Sequence, residues 1–233
     1  MTSTATRPAF LFVHGAWHTP AGWDRVRAIL EADGWHTDAV TLPSAITGEP
    51  HDGRHPGIFD DAQAIRQHLN RLPAPAVLVG HSYGGAPLSQ ASADPTGIAH
   101  LVYVASFVPD IGESVNALIG RPEHPENGVL PPMPDPATTY YGDLPADEAA
   151  THVEALLPQS QASLVERLTG AGWRTLPSTY VICENDQALP PALQEALSAR
   201  TGNVERLKSD HSPFLSRPGE LAALLVRIAE SPA

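Results

Sequence analysis

The sequence is poor in cysteine, in positive charge and in long apolar runs. Its single cysteine, Cys183, rules out an internal disulfide and any cluster of thiolate metal ligands. A lone cysteine is also compatible with a reducing compartment. Fourteen Lys and Arg stand against 26 Asp and Glu, a net charge of −12. A chain so acidic repels phosphate backbones and anionic lipid surfaces, which argues against nucleic acid and membrane partners. No segment is long and apolar enough to span a bilayer. The opening MTSTATRPAF carries one Arg and no apolar run before Phe10, so it does not read as a signal peptide. The expectation from these absences is a cytoplasmic protein.

What is present supports a folded core. The chain has 233 residues, 42% of them hydrophobic and 17% charged, which suits one large α/β domain or one domain with an insertion. Short apolar runs alternate with helical patterns. Strands are expected at Ala9–Val13, His36–Leu42, Ala76–Val79, Ala99–Ala105, Thr179–Cys183 and Val204–Leu207. Between them, Ala21–Asp33 places Trp23, Val26, Ile29 and Leu30 on one helical face, with Gly34 closing it. Phe59–Leu72 is a second amphipathic helix with acids in its first turn. A small-residue helix runs to about Ala93, and others cover Ala192–Ala199 and Leu221–Ala229. This alternation predicts a mostly parallel six-stranded sheet flanked by helices, with ligands bound at the carboxyl ends of its strands.

One stretch breaks the rhythm. From about Phe107 to Pro177 no strand is expected. Prolines bunch between Arg121 and Pro136, and two helical pieces follow, Ala146–Leu157 and Gln161–Leu168. Residues 107–176 therefore read as a helical cap inserted into a core made of residues 1–106 and 177–233.

Residues 78–85, LVGHSYGG, place Ser82 in a G-x-S-x-G pattern between the AVLV strand and the APLSQASA helix. A nucleophile on so sharp a turn needs small neighbours, because a Cβ at Gly80 or Gly84 would clash across it. A serine hydroxyl is a weak nucleophile at neutral pH and needs a base. Of the eleven histidines, His211 in SDHSPF follows the last strand, where this architecture carries the base. His14, His18, His124 and His152 are not so placed, and His81 adjoins Ser82 on a turn that points neighbours apart. The base needs a carboxylate to hold its tautomer. Asp186 in ICENDQALP follows the penultimate strand and leads, with Asp110 second and Glu184 and Asp210 as further rivals. Two backbone amides must meet the developing oxyanion. Tyr83 supplies one, and the HGAWH loop supplies the other through Ala16, with Gly15 allowing close approach.

FLFVHGAWHTPAGW, GHSYGG, LVYVASFVPD, CENDQALP and DHSPFLSRP together resemble the α/β-hydrolase superfamily. More narrowly they resemble its small capped branch of salicylate-ester esterases, bacterial pyrethroid-type carboxylesterases and hydroxynitrile lyases. The resemblance covers nearly the whole chain and weakens between about Gly120 and Leu176. It implies Ser82 as nucleophile, His211 as base, Asp186 as acid and the Ala16 and Tyr83 amides as oxyanion hole. It also implies a sheet that begins directly at the HG strand. Lyases of the branch carry a threonine after the loop histidine and a lysine after the catalytic histidine; here those positions are Gly15 and Ser212. Ser82 stands where dehalogenases and epoxide hydrolases carry aspartate.

The expected activity is hydrolysis of a carboxylic ester of a small, largely apolar molecule through an acyl-enzyme, with no metal or cofactor. Trp17 and Phe107 are expected in the substrate pocket. A thioesterase or lactonase, a lyase or cyclase, and a small-molecule receptor are the alternatives. Monomer and homodimer both remain open.

Overall fold

The structure, a computed structural model, describes residues 7–46, 53–123 and 128–231. His124 lies outside the described residues. In chain order the strands are β1 (Ala9–Val13), β2 (Thr37–Val40), β3 (Ala76–His81), β4 (Ile98–Val104), β5 (Val129–Leu130), β6 (Gln159–Ser160), β7 (Ser178–Cys183) and β8 (Asn203–Leu207). Six of them form one sheet, wholly parallel, in the order β2-β1-β3-β4-β7-β8.

β1 and β3 are buried at every position. Their side chains alternate between two cores, as the two-residue period of a strand requires. Leu11, Val13 and Leu78 enter one core; Phe10, Phe12, Val77 and Val79 enter the other. The helices in chain order are α1 (Asp24–Ala32), α2 (Ile58–Leu69), α3 (Gly85–Ala91), α4 (Val115–Leu118), α5 (Pro136–Tyr141), α6 (Ala146–Glu154), α7 (Ala162–Val165), α8 (Pro191–Ser198), α9 (Pro213–Ser216) and α10 (Pro218–Glu230). α1 and α10 supply the second core, α2, α3 and α8 the first. Gly34 closes α1 with φ 79°, a left-handed position that favours glycine. Ile29 departs from its expected inward face and is exposed. At a helical turn of about 100° per residue it points well away from its neighbour Leu30, which is fully buried.

The segment between β4 and β7 departs from expectation in two ways. It contains a strand pair, with Val129 opposite Ser160 and Leu130 opposite Gln159. Two residues per strand are too few to leave a period in the sequence. The helix expected at Gln161–Leu168 shrinks to α7 because Glu166 turns to extended backbone. Its carboxylate then accepts the Ile58 amide at 2.7 Å, capping α2. Among the described residues no helix is long and apolar enough to cross a membrane.

The register aligns the carboxyl ends of four strands. Val13 pairs with Gly80, His81 with Val104, and Val104 with Val181. The chain goes from β1 out to β2 and back to β3, so the strand order reverses there. That reversal opens a crevice between the loops that follow β1 and β3.

Candidate active site

Ser82 stands at the start of a sharp turn between β3 and α3. Its φ is 51°, in the left-handed region that costs a residue with a side chain. Its carbonyl is pinned from the β4 side, where it accepts the Phe107 amide at 3.0 Å and the Ser106 hydroxyl at 2.7 Å. Gly84 is obligatory on steric grounds, and Gly80 sits in tight space. A Cβ at Gly80 would lie 2.9 Å from Leu88 Cδ1, and one at Gly84 would lie 2.5 Å from the His14 carbonyl oxygen.

His211 follows β8 and Asp186 follows β7. His211 Nδ1 donates to Asp186 Oδ2 at 2.7 Å, with both side chains buried. A carboxylate only accepts, so Nδ1 carries the hydrogen, and in the neutral ring Nε2 keeps its lone pair. Asp186 is held on both oxygens. Oδ1 accepts the Ala188 and Leu189 amides, each at 2.8 Å, and Oδ2 also accepts Gln194 Nε2 at 3.0 Å. Two of the rival carboxylates, Asp110 and Asp210, are engaged elsewhere. Asp110 forks onto Arg174 at 2.5 and 2.6 Å, and that guanidinium holds its carboxyl below the usual range. Asp210 accepts the Asp143 and Ser212 amides. Glu184 is half-buried, and its amide donates to the Leu207 carbonyl at the strand end.

Three other histidines crowd this centre, all buried. His14 Nε2 accepts the Leu42 amide, so its Nδ1 donates to the Gly15 carbonyl, and burial lowers it to about 4. His18 lies between the Ala16 carbonyl and the Tyr141 hydroxyl, and burial lowers it to about 3. His81 donates Nε2–H to the His211 carbonyl at 2.8 Å, which braces the backbone of that residue. Burial and the nearby His211 hold His81 well below the ordinary imidazole range.

The loop after β1 approaches the serine closely. A Cβ at Gly15 would lie 2.8 Å from His81 Nδ1 and 3.0 Å from Ser82 Cβ. Ala16 is buried next to it. Among the described residues, neither the Ala16 nor the Tyr83 amide is taken by another hydrogen bond. Trp17 has φ 64°, and three hydrogen bonds tie it to the segment between β4 and β7. Its amide donates to Gln159 Oε1 at 3.2 Å, its indole to the Leu130 carbonyl at 3.0 Å, and its carbonyl accepts the Leu157 amide at 2.8 Å.

Ser82, His211, Ala16 and Tyr83 line one cavity of about 220 Å³. Asp186 stands behind His211. Trp17 and Phe107 also line the cavity. So do Val115, Ile119, Tyr140 and Leu164 of the 107–176 segment, together with Leu189, none of which a sequence motif singles out. Tyr140 stacks on Trp17 at 6.1 Å and lies 5.9 Å from the His211 ring. The paired aromatics of TTYYGD were its one visible signal. The walls are mostly apolar, with Asn116, Arg121, Thr139 and Gln187 as polar points.

Residues 10–224 match the alpha/beta hydrolase family. The chain belongs to that family. This hydrolase is 28% identical over 248 residues to alpha/beta hydrolase nvfD of Aspergillus novofumigatus, with 96% of each chain covered. It is 26% identical over 251 residues to methylesterase 7 of Arabidopsis thaliana, covering 95% of this chain and 96% of that one. A pyrethroid hydrolase of Sphingobium faniae shares the fold, with a TM-score of 0.81 at 22% identity over 97% of this chain and 99% of that one.

Proposed function

We propose that this hydrolase cleaves a carboxylic ester of a small, largely apolar molecule through an acyl-enzyme on Ser82. The observation that carries the reading is the strained Ser82 in one apolar cavity with a His211 whose Nδ1 is fixed by Asp186. The family and its esterase relatives support ester hydrolysis as the reaction.

Ser82 Oγ attacks the ester carbonyl carbon while His211 Nε2 takes its proton. Asp186 keeps the ring in the tautomer with Nε2 unprotonated and stabilises the imidazolium that forms. The Ala16 and Tyr83 amides receive the oxyanion, each worth about 3–4 kcal/mol of barrier. The imidazolium then protonates the departing alcohol. Water, deprotonated by His211, releases the acid and restores Ser82. Residues 107–176 act as a cap that supplies the apolar wall. The tight space at Gly15 argues against the lyase alternative, because a threonine side chain there would collide with His81 and Ser82.

The test is hydrolysis of p-nitrophenyl esters from acetate to octanoate by wild type and Ser82→Ala. Turnover that falls to background in the variant is expected, and the chain-length profile sizes the pocket. A folded wild type that is inert across the series overturns the reading.

A further inference from the structure

Asp61 is a fully buried carboxyl in the first turn of α2 that the mechanism above does not use. It does not line the cavity, yet both ends of the site reach it. Its Oδ1 accepts the Ser44 amide at 2.9 Å. Its Oδ2 accepts the Ser44 hydroxyl at 2.5 Å and the Tyr83 hydroxyl at 2.6 Å. Ser44 Oγ accepts Gln159 Nε2 at 2.8 Å, and Gln159 Oε1 accepts the Trp17 amide at 3.2 Å.

With Asp61 ionised, the direction of each bond follows from chemistry. An amide N–H can only donate, so Gln159 must turn Oε1 to Trp17 and its NH2 to Ser44. Ser44 Oγ receives that hydrogen and sends its own to Asp61. Tyr83 sends its hydrogen to the same oxygen. With Asp61 ionised, as at the pH 8 of the test below, the chain ends on an acceptor that gives nothing back. Its two outer ends are Tyr83 and Trp17. Tyr83 carries one oxyanion amide, and Trp17 is bonded directly to Ala16, which carries the other.

We infer that Asp61 is a positioning residue: its carboxylate is the common acceptor that holds the Tyr83 turn and the 14–18 loop in register. The inference rests on the serine-hydrolase reading. A purely structural role fits the residue poorly. Among the described residues Asp61 has no cationic partner, and a buried charge facing only neutral donors costs stability. Burial pushes the carboxyl up to about 7, and the Asp60 charge adds to that. An apolar core would be cheaper, and what the carboxyl adds is the link between the two segments.

The experiment compares Asp61→Asn, Tyr83→Phe and Gln159→Met with wild type. Each is measured for kcat and KM on p-nitrophenyl acetate, for Ki of a trifluoromethyl ketone whose hemiketal oxygen occupies the oxyanion site, and for Tm. At pH 8, kcat is expected to fall about 10- to 100-fold in Asp61→Asn and less in the other two. That is short of the ~10²–10³ lost with an oxyanion donor itself. Ki should weaken in parallel while KM changes less than about threefold and Tm does not fall in step. Unchanged kcat and Ki, or losses that track Tm, overturn the inference. If Asp61→Asn does not fold, Tyr83→Phe carries the same comparison. Amide hydrogen exchange at residues 14–18 gives a readout that needs no substrate: faster exchange in the variants supports the inference. If wild type proves inert on esters, the esterase reading is what fails, and unchanged exchange in the variants still overturns this one.

Discussion

Two carboxylates are buried beside the Ser82 turn, and their surroundings differ in one respect. Asp186 takes four hydrogen bonds, one of them from an imidazole that can become a cation. Asp61 takes three, all from groups that stay neutral. Burial keeps the Tyr83 phenol well above its ordinary range, so it remains a donor. Asp186 can therefore answer a charge that appears during a reaction. Asp61 can answer none, and what it governs is geometry. The same side chain serves electrostatics in one place and alignment in the other.

The largest effect should come from Asp186→Asn. An amide cannot hold the His211 tautomer, and kcat should fall on the order of 10⁴-fold with KM little changed. A loss of only tenfold would erase the difference between the two carboxylates. Asp61→Asn should fall well short of that, as set out above.

Gly15→Thr should come next. The new side chain has to displace His81 or Ser82, and overpacking of this kind costs about 1–3 kcal/mol. Thermal unfolding and ester turnover should both decline. Full retention of both would show that the 14–18 loop is free to move, against the account given for Asp61.

The smallest effect is a pH dependence. The native Asp61 carboxyl holds its proton up to about pH 7, while its ordinary value is 3.8. Between these the native state binds more protons than the unfolded chain, so the Asp61 contribution to stability falls as pH rises through that window. Asp61→Asn has no such loss. Its Tm relative to wild type should therefore improve between pH 4 and pH 8, by several degrees at ~2–4 °C per kcal/mol for a chain of this size. A constant difference across that range would mean that the carboxyl is not desolvated.

The centre of the sheet was legible because β1, β3 and β7 are buried at every position and are largely apolar. The order Ser82, Asp186, His211 was legible because each follows its own strand. The segment between β4 and β7 was not. β5 and β6 are two residues each, and α4 and α7 are four, so no period forms. Their placement comes from contacts distant in sequence, such as Gln159 with Ser44 and Trp17. In the sequence Asp61 is visible only as an acid in the first turn of a helix. Asp60 caps that turn, accepting the Gly57 amide at 2.8 Å. The partners of Asp61 are 17 and 22 positions away, beyond any local pattern.

The most direct test of the central claim is labelling with a fluorophosphonate, which phosphorylates an activated serine. The account predicts one adduct per chain, on the Ser82 peptide, with ester turnover lost in proportion and no label on Ser82→Ala or on Asp186→Asn at the same rate. A folded wild type that takes no label at Ser82, or one that keeps full turnover when Ser82 is fully labelled, would contradict it.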